Sequence, residues 1–321
     1  MKIELWGVRG SLPTPLTNNE YQLRVRSIIE ATLKNGSSDA TIDDIIGLLP
    51  PHVSTLYGGN TTCVTVTSKK GNLVILDAGT GLLPLGDKLI TREAGEGRLT
   101  ANFFFTHTHW DHIQGLPFFK PLYIKGNRFI FNSPIKDLQE RLNYQQKFKF
   151  FPREFDDTDS IKEFNQLKAN ESYKVDDSLI VDFIPLRHPG GSFAYRFREG
   201  EKNFIFSTDV EFRGNAVESF TPDHGDFFCA ADLLILDSQY TLDEAFAKFD
   251  WGHTSYSMAV NCGINWKVKK LVLTHHEPSY SDEKLASIYH DAKEHMDASA
   301  KAAQIEVPEL FLATEGMVFD I

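Results

Sequence analysis

A chain of 321 residues that is 41% hydrophobic and 24% charged can bury a large core and is too apolar to stay disordered. Its formal net charge of −11, without a run of basic residues, argues against tight binding to long nucleic acid. A small anionic substrate is still allowed where bound cations dominate the local field. No apolar run reaches the length of a membrane span, and the opening MKIELWGV lacks the apolar stretch of a signal peptide. Cys63, Cys229 and Cys262 form no C-x-x-C pair, so a reducing, cytoplasmic setting without a zinc knuckle is expected.

Residues 1–8 alternate as a strand and lead into Arg9-Gly10-Ser11. Tyr21, Leu23, Val25, Ile28, Ile29 and Leu33 then mark a helical stripe, which Gly36-Ser37-Ser38 breaks. A second short helix over 42–49 stops at Pro50-Pro51. The segment at about 18–56 reads as a helical insertion within a single domain spanning 1–321, serving as a surface hairpin or a substrate lid. TTCVTVT and NLVILDAGTG follow as a strand hairpin. Asp77, at the end of the second strand, either caps a helix or orients a metal-holding histidine or a water.

The apolar run Phe103-Phe104-Phe105 ends in HTHWDH. His107 and His109 are two apart on an extended chain and project to one side. Asp111 and His112 follow as the chain turns toward a helix. Neutral imidazole is the commonest ligand for zinc-like ions, and a carboxylate suits a harder slot. The spacing therefore offers two ligands to each of two metals.

Beyond it, RFIFNSP reads as a strand, 135–148 as a polar helix and 150–175 as an irregular, charged excursion. VDFIPLRHPGGSFAYRF restores strand character around His188. NFIFSTDV ends in Asp209, DLLILDSQY in Asp237 and KKLVLTHHEP in His275-His276. Helices are predicted over 255–264 and 281–303, and ELFLATEGMVFDI closes the chain as two paired short strands. Strand after strand thus delivers Asp or His at its C-terminal edge, where a rigid scaffold presents functional loops. The order predicts an α/β fold of two mixed sheets face to face with helices on both outer faces, a four-layer αβ/βα sandwich.

Over nearly its full length the sequence resembles the metallo-β-lactamase superfamily of binuclear metallohydrolases. HTHWDH is that family's central signature, and LDAGTG, LRHPGG, STD and VLTHHEP match the remaining motifs in order. GVRGSLPTP, YGGNTTC, THTHWDHIQGLPFF and WGHTS are most similar to the branch containing ribonuclease Z and small phosphodiesterases. The resemblance implies that His107, His109 and His188 hold one divalent metal and that Asp111, His112 and His275 hold another. Asp209 would bridge them, and zinc or manganese is implied, with iron allowed. Asp77, Asp111 and His253 are the implied catalytic side chains, and a homodimer is compatible with the branch. There are departures as well. The Gly/Pro-rich arm that ribonuclease Z uses to hold transfer RNA is missing, as are the extra zinc-binding cysteines of some phosphodiesterases.

The implied reaction is hydrolysis by a water activated between two metals, its direction fixed by Asp77, with His253 protonating the leaving alkoxide. The plainer reading of His253 is a surface histidine capping a helix at Thr254. His276 competes with His275 for the ligand role, and the position relative to the strand favours His275. His52, His224, His290 and His295 read as surface residues. Three classes stay open: a phosphodiesterase on a small nucleotide or ribose-phosphate ester (cyclic ones included), an acyl hydrolase of lactones, thioesters or β-lactams, and a non-catalytic metal-binding sensor.

Overall fold

Alternation along the strands determines which residues meet in the centre of the molecule. The computed structural model describes residues 1–35, 40–212 and 222–321; the predicted break at Gly36-Ser37-Ser38 lies outside the described residues. One sheet runs in the order β14 (Val318–Asp320), β1 (Lys2–Gly7), β2 (Cys63–Thr67), β3 (Leu73–Leu76), β4 (Thr100–Phe104), β5 (Arg128–Ser133), β6 (Ile161–Gln166). It is antiparallel up to β3 and parallel from there. The other runs β13 (Glu309–Leu312), β12 (Lys270–Thr274), β11 (Leu233–Asp237), β10 (Lys202–Ser207), β9 (Ser192–Glu199), β8 (Leu179–Leu186), β7 (Tyr173–Lys174).

Each sheet turns every second side chain inward. Leu5, Val64, Leu76 and Phe104 of the first pack against Val181, Phe197, Phe206 and Ile235 of the second. Phe103 and Phe105 point the other way. They form an outer layer with Phe129, Phe131, α4 (Leu82–Ile90) and α6 (Leu138–Gln145). Behind the second sheet, Leu234, Leu236, Leu271 and Leu273 meet α7 (Pro222–Phe228), α9 (Tyr256–Asn265) and α10 (Asp282–Ala303), with the short α8 (Leu242–Ala247) between α7 and α9 in the chain. The result is the predicted four-layer αβ/βα sandwich, with three apolar clusters sealing its three interfaces. Cys63 and Cys262 are buried in it as free thiols, and Cys229 is exposed. No helix among the described residues is long and apolar enough to cross a membrane.

Two expectations need correction. The excursion at 150–175 contains β6, an edge strand paired parallel to β5, and β7. Its exposed outer side leaves KEFNQ without the apolar alternation of an inner strand. The last two strands do not pair with each other. β13 joins β12 and β14 joins β1, so the closing segment is shared between the two sheets. As expected, the second helix stops before Pro50-Pro51; Pro51 then opens the separate α3 (Pro51–Ser54) at a position where its missing N–H costs nothing.

Between β1 and β2 lie α1 (Asn18–Asn35), α2 (Ile42–Gly47) and α3. The apolar stripe of α1 is not core: neither α1 nor α2 buries a residue. Arg24 donates to the Val53 and Thr55 carbonyls and pairs with Asp282, and α3 packs against the helix Asp282–Ala303, burying Val53. Replacing 18–49 by a short Gly/Ser link is therefore expected to leave a soluble, cooperatively unfolding protein. An insoluble product would instead place the segment in the core.

Candidate metal centre

The parallel strands of both sheets end at one shared edge, and their last residues converge there. Asp77 follows β3, His107 follows β4, Asp209 follows β10, Asp237 ends β11 and His275 follows β12. Asp77, Asp209 and His275 all have left-handed backbones, with φ of 55°, 57° and 66°. That conformation disfavours residues other than glycine and persists only where surrounding structure enforces it. Between β4 and the short helix α5 (Trp110–Ile113) the chain turns through His109 and presents Asp111 and His112.

These side chains form two adjoining groups, each with ligand atoms within 4.8 Å of one another: His107, His109 and His188, then Asp111, His112, Asp209 and His275. Asp209 lies between them. Its Oδ1 is 3.7 Å from His107 Nε2 and 3.8 Å from His188 Nε2, and its Oδ2 is 3.1 Å from His112 Nε2 and 3.3 Å from His275 Nε2. Asp111 Oδ2 lies 3.2 Å from both His112 Nε2 and His275 Nε2 and accepts the Ser11 backbone N–H at 2.8 Å.

The outer hydrogen bonds orient the rings. His112 Nδ1 donates to Asp77 Oδ2 at 2.8 Å, and His188 Nδ1 donates to the Gly252 carbonyl at 2.8 Å. Thr106 Oγ1 gives its proton to Asp77 and so accepts from His107 Nδ1 at 3.0 Å. With those Nδ1 atoms as donors, the Nε2 atoms facing inward carry lone pairs. The buried Nε2 of His107 and of His112 have no hydrogen-bond partner, despite the carboxylate oxygens close by. A cation would satisfy lone pairs that otherwise face one another in a buried site, so the residues fit divalent metal ions.

Electrostatics point the same way. Burial alone would lower His112, but Asp209 and Asp111 outweigh it and carry this imidazole well above its ordinary value. His275 is pushed up to about 9 against the same burial, chiefly by Asp209. Burial would raise Asp209 and Asp111, yet His112 outweighs it and holds both well below the usual carboxylate range. The paired carboxylates thus call for positive charge, which protons supply without metal and cations would displace. His107, by contrast, is kept well below its ordinary value by burial.

Asp77 is fully buried, with Oδ1 accepting from Thr106 N and Oδ2 from Thr106 Oγ1 and His112 Nδ1. These bonds fix the His112 ring through Asp77. Neither is His253 a surface cap: Ser255 caps α9, and the His253 side chain is largely buried. Its Nδ1 sits 2.7 Å from Asp237 Oδ2, and its ring stacks on His275 at 4.9 Å between centroids. Asp237 also accepts the backbone N–H of Val210, Gln239 and Thr254. His276 points away and bonds the Ala313 carbonyl at 2.9 Å; burial lowers it to about 3, so it stays neutral. His290 is on the surface beside Glu294, while His295 is half-buried against Asn261. The His224 side chain lies outside the described ones.

Sequence reasoning passed over Asp237 as a site residue and missed the backbone at Gly10, Ser11 and Gly252. A Cβ on Gly10 would lie 2.5 Å from His275 Nδ1, and one on Gly252 would lie 2.3 Å from His188 Nδ1. Gly10→Ala is accordingly expected to displace the His275 ring. Apparent zinc affinity should fall by about 10–100-fold, the usual cost of disturbing the groups behind a ligand. A chelator-competition titration alongside far-ultraviolet circular dichroism checks this; unchanged affinity with an unchanged fold would count against it.

Two sheets with a histidine–carboxylate cluster at their common edge define an αβ/βα metallohydrolase architecture. The sequence profile of the β-lactamase superfamily domain matches residues 72–276, which contain every cluster residue, and the chain belongs to that family of metal-dependent hydrolases. Ribonuclease Z of Oceanobacillus iheyensis is 23% identical over 270 residues, covering 66% of this chain and 83% of the relative. Among solved structures, unliganded yeast PDE1 aligns with a TM-score of 0.64 at 14% identity, covering 100% of this chain and 99% of that one. The short form of human tRNase Z aligns with a TM-score of 0.59 at 17% identity, again covering 100% and 99%. At such identities the structural likeness carries the fold, and the sequence match places the chain in the ribonuclease Z-like branch.

Proposed function

We propose that the protein is a binuclear metal-dependent phosphodiesterase acting on a small nucleotide or ribose-phosphate ester, linear or cyclic. The ligands are His107, His109 and His188 at one position and Asp111, His112 and His275 at the other, with Asp209 between them. Two divalent ions held there, zinc or manganese by ligand type with iron tolerated, supply a water of lowered pKa and a field for developing phosphoryl charge.

The observation that carries this reading is the Asp237–His253 pair beside the cluster. An alkoxide leaving group needs a proton as the P–O bond breaks. Asp237 fixes the Nδ1–H of His253 and so the direction of the ring, leaving Nε2 as the atom that can deliver a proton to the departing oxygen. A thioester, which expels a stable thiolate, would not require such a donor, whereas a lactone, which expels an alkoxide, would. Asp77 and Thr106 hold His112 and His107 in the orientation that aims their Nε2 atoms at the ions. Ser11 N fixes the Asp111 carboxylate.

A panel of phosphodiesters, cyclic nucleotides, lactones and thioesters, assayed with zinc and with manganese, tests the assignment. Turnover of phosphodiesters well above that of acyl esters is expected; the reverse order would transfer the protein to the acyl hydrolases.

A further inference from the structure

Residues 141–153, RLNYQQKFKFFPR, carry Arg141, Lys147, Lys149 and Arg153 between Glu140 and Glu154, in a chain whose net charge is −11; Glu154 turns back to accept the Phe148 backbone N–H at 3.3 Å. The aromatics interleaved with them are not core. Phe148 is 76% exposed, Phe150 66% and Tyr144 66%. Trp110, the residue after His109, is 81% exposed on the neighbouring turn.

Two hydrogen bonds fasten this segment to the metal centre. Arg141 donates to Thr108 Oγ1 at 3.0 Å, between His107 and His109, and Gln145 Nε2 donates to the Ile113 carbonyl at 2.9 Å, next to His112. Phe151 packs edge-on against Phe118 at 5.3 Å and anchors the loop, while Tyr144 and Phe150 lie 6.0 Å apart with their rings open to solvent. Among the described residues Lys147 and Lys149 have no ion-pair partner; Arg153 is engaged by Asp159.

Exposed aromatic faces between unpaired cations suit one chemistry in particular. Aromatic rings stack on nucleobases of any identity, and lysines follow the phosphates that link them. Bases inside a duplex offer no free face, and the acidic body repels a long double-stranded backbone. A cyclic mononucleotide would leave most of the surface idle. We infer that this surface holds the unpaired bases flanking the scissile phosphodiester, so that the substrate is a short single-stranded oligonucleotide. The inference rests on the phosphodiesterase reading and extends its substrate from a small nucleotide to a short oligonucleotide.

The test is fluorescence anisotropy of the holoenzyme with a fluorescein-labelled, six-nucleotide single-stranded phosphorothioate, which resists cleavage. The same sequence as a duplex is the comparison. Single strand is expected to bind more tightly than duplex. Phe148→Ala/Phe150→Ala, which alters only exposed side chains, should weaken single-strand binding by about 10–100-fold, the range for losing base stacking. Lys147→Gln/Lys149→Gln should flatten the slope of log affinity against log salt by about 0.7 for each phosphate no longer neutralised. Equal binding of single strand and duplex, or variants that bind like the wild type, would overturn the inference. So would a wild-type dimer that the Phe148→Ala/Phe150→Ala protein loses in sedimentation, since the face would then join copies of the chain. Turnover of bis(p-nitrophenyl) phosphate by the unaltered holoenzyme reads the phosphodiesterase assignment separately. If it is present with unaltered oligonucleotide binding in the variants, only the platform fails. If it is absent while the variants lose binding, the platform stands and the catalytic reading fails.

Discussion

Asp209→Ala is expected to lose more metal than any other single substitution in the cluster. One of its oxygens faces His107 and His188 and the other faces His112 and His275. Removing it strips negative charge from both proposed positions at once, whereas His109→Ala removes one neutral ligand from a half-exposed corner. Elemental analysis after gel filtration should return close to two ions per chain for the wild type and fewer than one for Asp209→Ala, with His109→Ala between them. Thermal unfolding gives a second readout. A ligand at about 100 times its dissociation constant stabilises the folded state by about 2.7 kcal/mol. The wild-type midpoint should therefore drop when chelator replaces zinc, and that difference should nearly vanish in Asp209→Ala. Two ions retained by the variant would remove Asp209 from the bridging role.

How much of this was legible in the sequence depends on how local each signal is. HTHWDH could be read directly because its geometry is set within a few residues of one strand end. The four layers could be inferred because buried parallel strands announce themselves as apolar runs. β6 could not, since an edge strand with one exposed side has no such pattern. The destination of β14 depends on a partner at the far end of the chain, as in Lys2 opposite Asp320. The stripe on α1 identified the helix correctly but could not say whether its apolar side met protein or solvent. Within the site, the ligand-type side chains stood out, whereas the groups that aim them did not. Ser11 contributes a backbone N–H, Gly10 and Gly252 contribute the absence of a Cβ, and none of these has a side-chain signature. Asp237 was visible at its strand end, but its meaning depends on His253, which folding brings to 2.7 Å from it. The interleaved lysines and phenylalanines at 147–150 escaped a search for basic runs because the charge is broken up by the rings that give it a use.

His253→Ala is the substitution that tests the proton donor. If His253 protonates a departing alkoxide, its loss should lower turnover of an alkyl phosphodiester by about 10²–10⁴-fold, or about 3–5 kcal/mol of barrier. The leaving group of bis(p-nitrophenyl) phosphate is a stable phenolate that departs without help, so the loss there should be much smaller. Asp237→Asn should reproduce part of the effect: an amide can turn either a donor or an acceptor toward Nδ1 and so no longer fixes the tautomer. Metal content must be measured in the same samples, because His253 also lies within ligand distance of His188 and Asp209. An ion lost with His253→Ala would recast it as a ligand. Equal losses on both phosphodiesters at full metal occupancy would instead make it a binding residue. Only a loss that grows with leaving-group basicity, at unchanged metal content, fits a proton moving from His253 to the departing oxygen.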